Sequence, residues 1–278
     1  MRGGGSAVRF AARLRFELFP ETRRAIQALA PKAAGLAGER INAEVTRMLT
    51  GPDPARAVRM LFDTGLLAAV LPEVAALDGV EQPPEFHPEG DVLTHTLLML
   101  SHMACADANL AWSVLLHDIS KPEARTVGED GRARFYAHES MGAELAGKIL
   151  DRLRFSSADR DSITQAVRNH MRFASVRDMR AAKLRKLIAD PNFPLHRLDC
   201  ISCHGLMECF VFLLDRLAAE PEHRRLPEPW VRGRDLVAAG VKPGPRFKTV
   251  LEEVFELQLA GELSTPEEAL ETALKRFR

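Results

Sequence analysis

Residues 112–122 read Trp112-Ser113-Val114-Leu115-Leu116-His117-Asp118-Ile119-Ser120-Lys121-Pro122. The apolar run Trp112 to Leu116 predicts a buried helix, at about Leu110–Ile119, that delivers two ionisable side chains, His117 and Asp118, to its end. Adjacent residues on a helix point in different directions, so the pair can serve one ion together or bridge two. Further out, His95 lies on the apolar helix Val92–Met103, for which Asp91 is a good N-cap. Asp199 lies in Leu198-Asp199-Cys200, on a later helix. Convergent imidazole and carboxylate groups suit Mn, Fe, Co, Ni or Zn. One such histidine on an apolar helix is most simply a satisfied core residue; the combination makes a candidate metal site.

Most of the remaining sequence also has helical character. Val8, Phe10, Ala11, Leu14 and Leu18 recur at helical spacing, and Pro20-Glu21-Thr22 opens a second helix through Leu29. A third spans about Glu39 to Leu49, and Pro54–Leu71 reads as two short helices broken near Gly65. A loop rich in proline and acid, Asp78–Asp91, contains Pro83-Pro84 and His87-Pro88-Glu89-Gly90. Later helices are expected at about His138–Leu153, Ala158–Met171, Met179–Ala189, Leu195–Leu217, Gly233–Ala239, Pro245–Leu259 and Thr265–Phe277. Arg132–Tyr136 is the one tempting strand. Met1-Arg2-Gly3-Gly4-Gly5-Ser6 reads as a flexible lead-in. The expected class is all-α.

The 278 residues carry 38 basic and 38 acidic side chains, which argues against a nucleic-acid binder working by bulk charge alone. Charge is nevertheless uneven. Met1–Leu49 is net +5 and Asp151–Lys186 net +6, two basic segments that are either solvated helix faces or a phosphate-facing surface. No apolar run approaches the roughly 18 residues that span a bilayer, so the expectation is a cytoplasmic protein with no membrane partner. Four cysteines are too few for a disulfide framework in a chain of this length.

The order His95, then His117-Asp118, then Asp199 resembles the HD superfamily of metal-dependent phosphohydrolases. Leu115 to Pro122 is similar to its core, with Ser120 where the family usually has Gly. The resemblance implies a divalent transition metal, one or two ions, held by His95, His117, Asp118 and Asp199. Members with two metals carry two further histidines in this order, here His138 and His170; the competing assignment is one metal, with those two contacting substrate phosphate. The implied chemistry is phosphoester hydrolysis, in which the ion lowers the pKa of water and neutralises phosphate oxygens. Asp118 and Lys121 are the catalytic candidates, and Lys121 with Arg125 could hold the phosphate unless they are ordinary surface cations.

A second resemblance covers about Ala7 to Leu274. Ala7 to Leu14, Pro20-Glu21-Thr22 and Glu39-Arg40-Ile41 are similar to the neck of the bacterial tRNA nucleotidyltransferase and poly(A) polymerase family. Phe62-Asp63-Thr64-Gly65-Leu66-Leu67 continues it, as do Gly240 to Pro245 and Gln258 to Glu262. The implied organisation is RNA-binding neck helices over 7–75, an HD metal-binding domain over 76–220 and a helical body and tail over 221–278. Arg9, Arg13 and Arg40 are the expected RNA contacts. The family's nucleotidyl-transfer head needs a Gly-Ser turn followed by paired carboxylates, and none precedes Ala7; Asp159-Arg160-Asp161 lacks that lead and sits in a helical context. The expected partners are therefore tRNA or another RNA 3′ end, or a nucleotide phosphoester. Three activities are carried forward: metal-dependent hydrolysis, pure RNA binding, and one half of a split enzyme whose head is a separate chain. Cys200-Ile201-Ser202-Cys203-His204 imitates a haem-attachment motif, but it falls on the helix of Asp199 in a chain without an export signal.

Overall fold

The computed structural model describes residues 3–103, 107–189, 193–202, 207–221 and 225–277. Among them the protein is all-α apart from one small hairpin. The helices are α1 (Gly4–Leu14), α2 (Pro20–Leu29), α3 (Gly38–Leu49), α4 (Pro54–Asp63), α5 (Leu66–Val70), α6 (Pro72–Ala75), α7 (Val92–Ser101), α8 (Ala108–Leu116) and α9 (Lys121–Ala124). They continue with α10 (His138–Arg152), α11 (Ser157–Asn169), α12 (Ala181–Ile188), α13 (Phe193–Ser202), α14 (Glu208–Ala219), α15 (Gly233–Ala238), α16 (Arg246–Ala260) and α17 (Pro266–Lys275). Strands β1 (Arg125–Val127) and β2 (Ala133–Phe135) pair antiparallel between α9 and α10.

The chain forms two compact units. The first comprises residues up to Phe173 with Pro194–Met207, and the second Ala174–Phe193 with Glu208–Arg278. In the first unit a single core runs from Val8 through Leu71 and Leu116 to Leu198, so the helices expected as neck and those bearing His95 and His117 bury their apolar faces together. Trp112 ties them: it is fully buried, its indole N–H donates to Thr46 Oγ1 of α3 at 2.9 Å, and its ring packs edge-on against Phe155. Local chemistry sets the helix starts. Asp53, Asp91, Asp107 and Ser156 each accept a backbone N–H at the N-terminus of α4, α7, α8 and α11. In the second unit α15, α16 and α17 close a small core around Leu236, Val250 and Ala269, with Thr265 capping α17. No helix among the described residues is long and apolar enough to cross a membrane.

Three expectations change. Helix α1 begins at Gly4 rather than Ala7: Gly4 packs against Ile26 and Leu66, and Gly5 is buried. The strand expected at Arg132–Tyr136 exists, with Arg125–Val127 as an unforeseen partner. The single helix expected over Leu195–Leu217 is two, α13 and α14, on either side of residues 203–206; Cys203 and His204 lie outside the described residues.

Candidate metal centre

His117 and Asp118 immediately follow α8, where the chain is leaving the helix but Nδ1 of His117 still reaches the carbonyl of Val114 at 2.9 Å. His138 opens α10 and His170 follows α11. Their Nδ1 atoms lie 2.8 Å from Phe135 O and 2.6 Å from Val167 O. A carbonyl only accepts, so all three rings carry their proton on Nδ1 and turn a lone pair at Nε2 inward.

Those lone pairs converge. Asp118 Oδ2 lies 3.0 Å from His117 Nε2, and Asp118 Oδ1 lies 3.4 Å from His138 Nε2 and 3.6 Å from His170 Nε2. His95, from the middle of α7, places Nε2 3.3 Å from Asp199 Oδ1 of α13. The ligand atoms of His95, His117 and Asp199 all lie within 4.8 Å of one another, as do those of Asp118, His138 and His170. Two three-ligand groups thus meet at the His117-Asp118 doublet.

A divalent cation fits this arrangement. His117 Nε2 and Asp118 Oδ1 are buried without a hydrogen-bond partner, the 3.0 Å approach to Oδ2 being poorly aligned. His138 Nε2 and His170 Nε2 face each other at 3.2 Å with both Nδ1 protons already committed, a repulsive pairing unless a positive charge sits between them. Burial holds His117 below its ordinary pKa, and the nearby Asp118 does not offset it, so the ring is neutral at pH 7. For Asp118 burial alone would raise the pKa, but His117 and Lys121 outweigh it and hold the carboxyl well below the usual range. For Asp199 burial alone would again raise the pKa, but the neighbouring His95, with His117 and His170, outweighs it and the carboxyl is lowered. In His170 burial is overcome by Asp118, and the pKa rises. Neutral imidazole beside ionised carboxylate, as at His117 and Asp118, is the state a metal binds, and at His170 an ion would take the place of the proton that Asp118 favours.

The remaining candidates divide. Lys121 is no surface cation: it is buried, with Nζ 2.7 Å from Asp118 Oδ2 and 2.5 Å from Gln82 Oε1. Arg125 is exposed at the start of β1 and is not drawn into the cluster. Ser120 turns its hydroxyl to His138 O at 2.7 Å, tying the doublet's turn to α10, and Gly142 lets α10 approach that turn, since a Cβ there would crowd Val167 and Ser120. Sequence reasoning missed Glu89 and Gln82. Glu89 Oε1 lies 2.6 Å from His95 Nδ1 and 2.9 Å from His87 Nδ1; these bonds outweigh burial and keep the carboxyl below its ordinary pKa.

A second charged region lies on α1 and α3. Arg9, Arg13 and Arg47 line a cleft of about 360 Å³. Glu44 accepts from Arg9 at 3.1 Å and from Arg47 at 2.9 Å, and Arg40 is exposed on the first turn of α3. The other basic stretch is partly neutralised: Arg152 is bidentate on Glu73, Arg160 pairs with Asp151 and Asp161, and Lys186 pairs with Glu256.

Comparison with known proteins places this arrangement. The chain is 34% identical over 287 aligned residues to the A-adding tRNA nucleotidyltransferase of Deinococcus radiodurans, covering 95% of this chain and 65% of that protein. Residues 15–77 match the family described as a probable RNA and SrmB-binding site of polymerase A, and residues 92–192 match the HD domain. The chain belongs to the bacterial tRNA nucleotidyltransferase and poly(A) polymerase family. The multifunctional CCA protein of Halorhodospira halophila is 41% identical over 170 residues, 59% of this chain and 40% of that protein. The chain therefore spans less than two thirds of the length of these relatives. The crystal structure of the Bacillus stearothermophilus CCA-adding enzyme in complex with CTP superposes with a TM-score of 0.60 at 22% identity, over 99% of this chain and 61% of that one, a likeness of fold. Within this tRNA nucleotidyltransferase-family chain, the HD match contains His95, His117, Asp118, His138 and His170, while Asp199 and Glu89 lie outside it. Arg40, Glu44 and Arg47 fall inside the RNA-binding match, and Arg9 and Arg13 precede it.

Proposed function

We propose that this chain binds the 3′ region of tRNA or a similar RNA through the basic α1–α3 face and hydrolyses a phosphoester at the HD centre. The bond class is a 2′,3′-cyclic phosphodiester or a terminal phosphomonoester. The observation that carries this reading is the pair of three-ligand groups meeting at His117-Asp118, with His117 Nε2 and Asp118 Oδ1 buried and unsatisfied. His95, His117 and Asp199 would hold one divalent ion, and Asp118, His138 and His170 a second; Mn, Ni, Co, Fe and Zn all suit the donor set. When bound, such an ion polarises phosphate oxygens and makes water a better nucleophile.

The chain's own residues prepare the site. Backbone carbonyls fix three imidazole tautomers before any ion arrives, which removes the need for reorganisation. Lys121 holds Asp118 ionised rather than meeting phosphate itself, so its role is to position and charge-balance that carboxylate. Arg9, Arg13, Arg40 and Arg47 supply sequence-independent phosphate contacts, which suits recognition of one folded RNA.

The test is an assay of protein loaded with Mn(II), Ni(II) or Co(II) on cyclic and monoester phosphates, with Asp118→Ala as control. Hydrolysis that Asp118→Ala abolishes supports the reading, and its absence with every metal sinks it. The match to an RNA-binding region favours a second reading, a non-catalytic RNA module, under which tRNA binding survives Asp118→Ala and no hydrolysis occurs. Nucleotide addition, the activity in the relatives' names, would reside in this chain only as part of a larger assembly; co-purification with a separate nucleotidyltransferase chain is the check on that split-enzyme version.

A further inference from the structure

His95 differs from the other histidines of the cluster in where it sits. His117 and His170 follow helix ends, and His138 follows a strand, so each finds an unspent backbone carbonyl three residues earlier for its Nδ1 proton. His95 lies in the interior of α7, where carbonyls are consumed by the helix. The one three residues before it, on Val92, also accepts from the Thr96 hydroxyl at 2.8 Å. An acceptor for His95 must come from outside its helix.

We propose that Glu89 is the positioning residue of the metal centre, the outside acceptor that locks His95 with its proton on Nδ1 and its Nε2 lone pair aimed at the ligand group. Glu89 Oε1 is 2.6 Å from His95 Nδ1, and the same oxygen is 2.9 Å from His87 Nδ1. A carboxylate only accepts, so both ring nitrogens facing it carry hydrogen. His87 packs edge-on against His95 with ring centroids 5.0 Å apart, bracing the pair. This rests on the reading of the cluster as a metal site; it adds that a loop residue outside the six ligands determines whether His95 can serve.

The placement of Glu89 is built into the chain. Asp91, two residues on, clamps both ends of the loop: Oδ1 accepts from Thr94 N and Oδ2 from Gly79 N, each at 2.7 Å, while Val92 N donates to Val80 O at 3.1 Å. Between Glu89 and Asp91, Gly90 adopts φ +124°, a backbone region that L side chains rarely adopt, and this turn sends Glu89 back over α7. The Glu89 side chain is only 7% exposed, so its bonds to the two rings are shielded from water.

The experiment pairs two readouts on the full chain. Histidine side-chain 15N spectra of metal-free protein report each tautomer, and calorimetric titration with Mn(II) reports affinity. In Glu89→Ala the His95 signal should change from a single Nδ1–H form to a mixture, with His138 and His170 unmoved, and Mn(II) affinity should fall about 10–100-fold. Glu89→Gln keeps an acceptor oxygen in the same shape, so it should retain the Nδ1–H form of His95 and lose less affinity. The proposal is overturned if His95 keeps its tautomer in Glu89→Ala and Mn(II) affinity stays within about twofold of wild type. If wild type takes up no Mn(II) while Glu89→Ala still shifts the His95 tautomer, the metal reading fails and the positioning role of Glu89 stands.

Discussion

In the candidate metal centre six ionisable side chains press against one another inside the core, whereas on the α1–α3 face Arg9 and Arg47 share one carboxylate, Glu44, at the surface, with Arg13 lining the same cleft as they do and Arg40 exposed on α3. Removing a charge from the first region strands its neighbours without water to replace it; removing one from the second lets solvent take its place. The buried cluster should therefore respond steeply and specifically to single substitutions. The basic face should respond weakly in stability and additively in RNA binding.

Asp118 gives the largest expected effect because four groups face it: His117, His138, His170 and Lys121. Asp118→Ala leaves the buried Lys121 ammonium without its carboxylate, which costs about 3–5 kcal/mol by the usual penalty for breaking a buried pair. Urea unfolding of metal-free protein measures it. A loss under about 1 kcal/mol would mean that water reaches the site and would erase the contrast between the two regions.

Metal removal should come next. At a free metal concentration of 100 times Kd, binding stabilises a folded protein by about 2.7 kcal/mol. Thermal unfolding with Mn(II) and then with excess chelator should differ accordingly, and Asp118→Ala should flatten the difference. An unchanged melting temperature in wild type would count against metal binding at this concentration.

The basic face is tested by Arg9→Ala with Arg13→Ala. Each arginine withdrawn from a phosphate should lower the salt slope of tRNA binding by about one, uniformly across RNA sequences. Stability should change by less than about 1 kcal/mol, because the Arg9–Glu44 pair is only partly buried and Arg13 is exposed. A change in sequence preference with the slope intact would show that these arginines read bases rather than phosphates.

How far each region was legible in the sequence follows from the same physics. The convergence of His95, His117, Asp118, His138, His170 and Asp199 could be anticipated from the resemblance to the HD superfamily, whose order of histidines and aspartates they follow. Glu89 could not: its reach to His95 depends on Gly90 taking a positive φ and on Asp91 clamping Gly79, loop geometry that hydrophobic pattern does not encode. Lys121 was named as a site residue, but its burial was not legible, since a lysine after a helix end has surface character until a buried carboxylate one turn back claims it. The glycines of the first six residues suggested flexibility by composition, yet Gly4 packs closely against Ile26 of α2 and Leu66 of α5, and Gly5 is buried. The apolar continuity of 195–217 concealed a division into α13 and α14.

The smallest effect belongs to the second unit, where Lys186 Nζ on α12 meets Glu256 Oε1 on α16 at 2.8 Å, both side chains substantially exposed. The hydrogen bond from Lys186, the largest influence, holds Glu256 below its ordinary carboxyl pKa. A carboxyl depressed in the folded state stabilises the protein above its unfolded pKa and loses that contribution as pH falls through the folded value. The contribution is therefore intact at pH 7 and lost in the acid range below about pH 4.5. Solvent screening limits it to a few tenths of a kcal/mol. A double-mutant cycle of Lys186→Ala and Glu256→Ala at pH 7 and pH 3 should give a small coupling that vanishes in acid and in 1 M salt. Asp118 and Lys121, shielded from solvent, should keep their coupling in the same salt. Equal salt sensitivity of the two pairs would show that burial is not what separates the metal centre from the exposed charges.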